Sequence, residues 1–291
     1  MNSSIALGFF DGVHTAHQKI IEAAVKKAEE ENLTPIVLTF DRMPKNVLLG
    51  KKIKQLTTTE EKRSIVEKMG ARLCTLCATD EIFSMTAEAF AQKILKEKFG
   101  AKHVFCGYNY RFGFGGEGDG NVLSLLGEKY GFTAKTIPCL TDGGSEISSE
   151  RIRALIKSGD VSTAKRLLGR PYFITGEVTA GKRLGQSIGF PTANIAVQDE
   201  KIVPQNGVYT AKAVIGSEKY QAVTNVGTNP TVGTEALRTE TYIINYNKNL
   251  YGKIITVEFE DFIRKEIKFN SLEELKSQIK KDIEYENRQL F

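Results

Sequence analysis

The chain has 291 residues, enough for one large domain or two of ordinary size. Apolar residues make up 41% and charged residues 26%, the balance of a folded globular protein and not of a disordered one. The net charge of +5 is mild and spread out; it suits a small anionic substrate as well as it suits nothing in particular, and it is a poor argument for nucleic-acid binding.

The start, MNSSIALGFFDG, has no basic leader and meets Asp11 too early for a signal peptide. No run approaches the roughly 18 apolar residues of a membrane span, and a cytoplasmic location is the default expectation. Residues 5–10 are apolar and followed by Asp-Gly, which predicts a buried parallel strand ending in a turn. A helix follows over 17–31 with Ile20, Ile21, Ala24 and Val25 inward, then a strand over 35–40. Residues 57–69 read as a helix with a threonine cap and an acidic first turn. ARLCTLCAT predicts a third buried strand over 73–78. Its Cys74 and Cys77 have zinc spacing but no second pair, so core packing is the better reading. A helix over 87–98, a strand over 103–106, the glycine-rich loop GYNYRFGFGGEGDGN, a helix over 122–130 and a strand over 133–138 complete the half. This alternation predicts a doubly wound, Rossmann-like parallel sheet.

After Ile147 the pattern changes. Two short helices lead to a β-rich region, YFITGEVT to KIITVEFEDFI, with turn residues between the runs, which predicts an antiparallel β-barrel. A terminal amphipathic helix opens with Ser271 as N-cap and Glu274 at the capping-box position, one apolar face packing on the barrel. The expected division is a first domain over 1–157, a linker helix over 158–171 and a second domain over 172–291.

Ligands of a doubly wound sheet bind beyond the carboxyl ends of its strands, where GFFDGVHTAH falls. Gly8 and Gly12 permit close backbone approach, and a helix N-terminus offers N–H groups to an anion. His14 and His17 would face that anion as phosphate donors. Zinc ligands on one helix normally stand four apart, not three. Two surface histidines beside a turn remain the competing reading on spacing alone. Further on, ISSERIR places Ser148 and Ser149 at a helix start, with Arg151 and Arg153 following, a donor set able to hold a triphosphate. Taken alone, an ordinary N-cap with exposed arginines explains it better.

Together these stretches resemble the HxGH and ISSxxxR motifs of nucleotidyltransferases. With GYNYRFG, they are similar to the adenylyltransferase half of bacterial bifunctional riboflavin kinase/FAD synthetases. The resemblance implies ATP phosphates at His14, His17, Ser148 and Arg153, with Gly8, Asp11, Ser149, Asn109 and Arg111 at the nucleotide site. It implies that FMN attacks the α-phosphorus and expels pyrophosphate, with Mg²⁺ and no covalent enzyme intermediate. Three positions depart from the pattern: Ala16 replaces the motif glycine, Arg42-Met43 replaces Pro-His, and Glu150 stands where threonine is common.

In the second half, GKRLGQSIGFPTAN carries three glycines and two cations ahead of a strand. Gly181, Lys182 and Gly185 could wrap a phosphate chain, although no GK[ST] closes a P-loop and a barrel turn is the safer pattern reading. GFPTAN resembles the PTAN motif of riboflavin kinases. That implies Thr192 and Asn194 as oxygen ligands of Mg²⁺ and ATP phosphates. In RTETYII, strand alternation puts Glu240 on a face with Arg238 and Tyr242, compatible with a surface ion pair. The resemblance instead makes Glu240 the general base on the riboflavin 5′-hydroxyl. It also puts Asn225 beside the active site and Arg264 and Phe269 at the flavin pocket.

The implied protein is a bifunctional enzyme making FMN and then FAD, with flavins and ATP as its partners and neither nucleic acid nor membrane. A homo-oligomer is compatible with it. Two rivals stay open: an enzyme with one working half, the adenylyltransferase being more in question, and a flavin-binding regulator without turnover.

Overall fold

The computed structural model describes residues 2–180, 189–231 and 234–288, and the side chains of these except 228–238 and 286–288. Gly181, Lys182 and Gly185 therefore lie outside the described residues, as does the side chain of Arg238. The chain divides into two compact units, Met1–Ser149 and Glu150–Phe291.

The first unit is a parallel five-stranded sheet. Its strands are β1 (Ser3–Leu7), β2 (Thr34–Phe40), β3 (Arg72–Leu76), β4 (Ala101–Gly107) and β5 (Thr133–Ile137), in the order β3-β2-β1-β4-β5. The doubly wound expectation holds. Strand alternation covers both faces: Ile5, Leu7, Val104 and Cys106 join one core cluster, while Ala6 and Phe105 join the other. Helix α1 (Thr15–Glu31) buries Ile20, Ile21, Ala24 and Ala28. Short α2 (Pro44–Leu49) precedes α3 (Thr59–Lys68), whose N-cap Thr58 and Glu61 form a complete capping box.

Three details correct the sequence reading. The expected buried strand around Cys74 and Cys77 is the sheet edge; it ends at Leu76, leaving Cys77 exposed and Cys74 half-buried. The expected helix over 87–98 is one turn, α5 (Ala87–Ala89), widening into a π-helix over Phe90–Lys98 that keeps Phe90, Ala91, Ile94 and Leu95 on the core. Beyond short α4 (Asp80–Phe83) and, further on, α6 (Gly120–Tyr130), a small hairpin, β6 (Thr141–Asp142) and β7 (Ser145–Glu146), appears where no element was expected.

Helix α7 (Ser149–Ser158), whose first residue ends the first unit, and α8 (Val161–Leu168) lead into the second. Strands β8 (Tyr172–Thr179), β9 (Thr192–Ile195), β10 (Gly207–Ile215), β11 (Glu218–Thr231), β12 (Thr234–Ile243) and β13 (Ile254–Arg264) close into a barrel, order β10-β11-β12-β9-β8-β13. Closure leaves no exposed sheet edge. Ile174, Tyr209, Ala211, Val226, Val257 and Phe259 fill its interior. The terminal helix α9 (Leu272–Arg288) has Ser271 Oγ accepting from Glu274 N–H at 3.2 Å. The Glu274 carboxylate reaches one residue further back than a capping box requires, to Asn270 N–H at 3.0 Å.

Candidate functional site

The sheet order reverses between β1 and β4, and the turns leaving those strands border a cavity of about 160 Å³. His14, Ala16 and His17 come from the first turn; Gly107, Tyr108 and Asn109 from the second; Cys139, Glu146, Ser148 and Ser149 close the far side.

The route from β1 into α1 is tightly constrained. Phe10 and Val13 adopt left-handed φ values of 55° and 41°, unusual for bulky residues, and Gly12 takes 78°. The Asp11 carboxylate accepts from Leu56 N–H at 2.8 Å and Thr57 N–H at 3.3 Å, while Gly12 N–H donates to Thr57 Oγ1. Ser149 Oγ donates to the Asp11 carbonyl at 2.8 Å. Asp11 and Ser149 thus shape the turn. The open side of Gly8 faces the Phe10 ring, with Cζ 3.0 Å from where a β-carbon would sit.

His14 is the N-cap of α1: its Nδ1 accepts from His17 N–H at 3.3 Å, which places its own proton on Nε2. The His14 and His17 rings stack with centroids 3.5 Å apart and planes 18° off parallel. Two charged imidazoles at that separation would repel strongly. Burial, then His14, then the Lys62 ammonium hold the His17 pKa well below its ordinary value, so His17 stays neutral. Its Nδ1 is buried with no hydrogen-bond partner among the described residues.

His14, His17, Asn109, Ser148 and Ser149 are therefore brought together. Arg111 is not: it is mostly exposed and pairs with Asp119 at 3.5 Å. Arg153 follows on α7, in the second compact unit, where it is half-buried. The sequence reading missed Tyr108, Cys139 and Glu146. Hydrogen bonding to Glu146 pushes the Tyr108 phenol up and keeps it protonated. Among the departures, Ala16 lines the cavity, Glu150 is exposed, and Arg42 donates to the Ala78 carbonyl at 2.9 Å.

In the barrel, register does the assembling. Asn194 on β9 lies opposite Glu240 on β12, which lies opposite Asn225 on β11. Directly opposed residues share a face, so the carboxylate stands between two amides. Two residues along, Thr192, Tyr242 and Val223 form the next row of that face. Register gives Glu240 no directly opposed cation. The residue borders a cavity of about 190 Å³ with Thr192, Asn225, Arg264 and Phe269. A second cavity, about 470 Å³, runs from Pro191 and Thr192 to the 246–251 segment. Thr192 belongs to both.

Asn225 Nδ2 donates to Glu266 Oε1 at 3.3 Å, leaving its Oδ1 buried and unpartnered among the described residues; Asn194 Oδ1 is in the same state. Thr192 and Asn194 stand two apart on one strand face and offer hard oxygen donors, which suits Mg²⁺ completed by phosphates and water. The terminal helix packs on the barrel as expected and does more than pack: Leu275, Ile279 and Asp282 wall the smaller cavity. Asp282 is 2% exposed and receives Arg264 through two hydrogen bonds, 2.9 and 2.6 Å. A charge in register with Leu275 and Ile279, at spacing 4 and 3, was the available signal.

The family model described as FAD synthetase matches residues 1–151, and that described as riboflavin kinase matches 168–290. A bifunctional riboflavin kinase/FMN adenylyltransferase of Bacillus subtilis is 38% identical over 287 residues, covering 96% of this chain and 90% of the relative. Its Escherichia coli K12 counterpart is 33% identical over 281 residues, with the same coverage. A solved structure titled a macrolide-efflux protein from Streptococcus pneumoniae superposes with a TM-score of 0.90 at 31% identity, covering 98% of this chain and 94% of that one. Among the described residues no helix is long and apolar enough to cross a membrane. Matched over both halves and along nearly its whole length, the chain belongs to the bifunctional riboflavin kinase/FMN adenylyltransferase family.

Proposed function

We propose that the barrel phosphorylates riboflavin to FMN and that the parallel-sheet unit adenylylates FMN to FAD, each reaction consuming ATP. The observation that carries the first step is Glu240 between Asn194 and Asn225, beside the threonine shared by two cavities. The smaller cavity, with Phe269, Leu275 and Ile279 as apolar wall, takes the flavin; the larger takes ATP. The ribityl 5′-oxygen attacks the γ-phosphorus as Glu240 accepts its proton, and ADP departs. Asn225 Oδ1, oriented by Glu266, accepts from a ribityl hydroxyl. Thr192 and Asn194 would hold Mg²⁺, which supplies neutralising charge to the ATP phosphates.

In the other cavity, a phosphate oxygen of FMN attacks the α-phosphorus of a second ATP and pyrophosphate leaves. The enzyme's part is positioning and charge stabilisation. His14 Nε2–H, His17, Ser148 and the N-terminal end of α1 donate to the phosphates, and Arg153 adds a cation. Asn109 serves the nucleotide side. The reading puts this work in the cytoplasm, on free flavins, without nucleic acid or membrane.

Product analysis with each flavin separates the two sites. Glu240→Gln lowers FMN formation from riboflavin by about 10²- to 10⁴-fold while FAD formation from FMN persists. His17→Ala gives the reverse pattern, with FAD formation down by about 10²-fold. Unchanged FMN formation in Glu240→Gln overturns the kinase mechanism. Accumulation of FMN without FAD by the unaltered chain overturns the bifunctional reading.

A further inference from the structure

Behind the His14–His17 cavity stands a lysine that neither transfer uses. Lys62, early in α3, is 2% exposed. Its Nζ donates to the Phe9 carbonyl at 2.7 Å and sits 4.0 Å from the Phe9 ring centroid. Thr39 Oγ1 already donates to that carbonyl at 2.9 Å, so hydrogen-bond satisfaction alone does not call for a buried ammonium. Burying a cation is costly, and a methionine-like side chain would fill the space more cheaply. Burial pushes the Lys62 pKa down to about 8, with the Asp11 carboxylate opposing the shift.

What this arrangement controls is the next four residues. The Phe9 carbonyl is the last fixed point before Phe10, Asp11, Gly12 and Val13, the turn with three left-handed residues. From the other side, Leu56 and Thr57, just ahead of α3, hold Asp11. The α3 region therefore grips the turn at two places. Strain of this kind persists only where its surroundings over-determine it, and it collects at functional sites.

We infer that Lys62 is a positioning residue of adenylyl transfer: its ammonium, seated on the Phe9 carbonyl, fixes the turn that delivers His14 and His17 and places a positive charge behind them. The inference rests on reading the His14–His17 cavity as the adenylyl-transfer site. The charged and titratable groups acting on this cluster are Asp11 from the turn and His14 and His17 from α1. Glu61, beside Lys62 on α3, is engaged by Thr58 N–H at 3.0 Å.

The test uses full-length Lys62→Met and Lys62→Gln, assayed for both reactions from neutral pH down to well below the ordinary imidazole range, because His17 titrates below its usual value. FAD formation from FMN loses about 10- to 100-fold in kcat, with KM for FMN and ATP changed less than about threefold. The acid limb of its pH profile moves to higher pH, because His17 loses a charge that depresses its pKa. Riboflavin phosphorylation is unchanged. Unaltered FAD formation, or a loss with the acid limb unmoved, overturns the inference. An equal loss of both reactions in both variants also overturns it, assigning Lys62 to folding alone. His17→Ala in parallel keeps the two readings apart. If it leaves FAD formation intact, the cavity itself has been misread; if it abolishes FAD formation while Lys62→Met does not, only the role of Lys62 fails.

Discussion

Between the two histidines of the first cavity, Ala16 presents a methyl group where the surrounding motif pattern has glycine. A single carbon in a snug pocket is worth about 10-fold or more in discrimination. If phosphates pass over this turn of α1, the methyl obstructs their approach to the helix N–H groups. Ala16→Gly is therefore expected to raise kcat/KM for FAD formation by about tenfold, and to leave riboflavin phosphorylation alone. Its cost is up to about 1 kcal/mol of stability, as for glycine replacing alanine in a helix. Steady-state kinetics with FMN and ATP checks this; an unchanged kcat/KM places the phosphates elsewhere. At this scale the sequence showed which residue types cluster but not how they are used. His14 was visible as a donor, whereas its capping bond, which decides which nitrogen keeps the proton, depends on a χ angle and the start of α1. Asp11 at a strand-ending turn and Ser149 at a helix start were expected at the nucleotide site, yet their oxygens meet backbone partners 45 and 138 residues away. Lys62 had no signal at all, because its helix reads as an ordinary capped one.

Elements were more readable wherever a single period governs them. The strands around Ile5, Val37 and Val104 are short apolar runs because both faces of a parallel sheet are covered, and those runs are plain in the sequence. The π-helix after Phe90 and the hairpin around Gly143 were not, since each is decided by tertiary packing or by a two-residue turn. The terminal helix is the instructive case. Its apolar stripe was plain, but a bare packing role ignored Asp282, which occupies a stripe position and is nearly inaccessible. Breaking a buried, doubly hydrogen-bonded ion pair from one side costs about 3–5 kcal/mol. Asp282→Asn loosens the seating of α9 on the barrel and so disturbs the wall made by Leu275 and Ile279. The expected result is a rise of at least about tenfold in KM for riboflavin, since the loss falls on flavin binding and not on the transferring phosphate. KM for ATP stays within about threefold. Equal effects on both KM values would show that α9 supports the barrel generally.

On the scale of the whole molecule, two architectures of opposite kind share one chain, and the shift from alternating helices and strands to successive antiparallel strands announced both. What that shift could not disclose is where each cavity would open, because that depends on the reversal of strand order beside β1 and on the cross-barrel register of Asn225, Glu240 and Asn194. Every residue lining the described cavity of the first unit lies between 14 and 149, and those of the barrel between 178 and 282. Each site is thus built from one stretch of chain, and FMN is both the product of one and the substrate of the other. If FMN leaves the barrel into solvent, the two activities need not reside in the same molecule. Full-length Glu240→Gln and His17→Ala, each strongly impaired in converting riboflavin to FAD alone, should then restore that conversion when mixed. The rate should rise with the concentration of either partner, after a lag in which free FMN accumulates. A trap for free FMN, such as an excess of an apo-flavoprotein that binds it tightly, should abolish the complementation. Failure of the mixture, with each variant keeping its one expected activity, would instead require FMN to pass within a single chain.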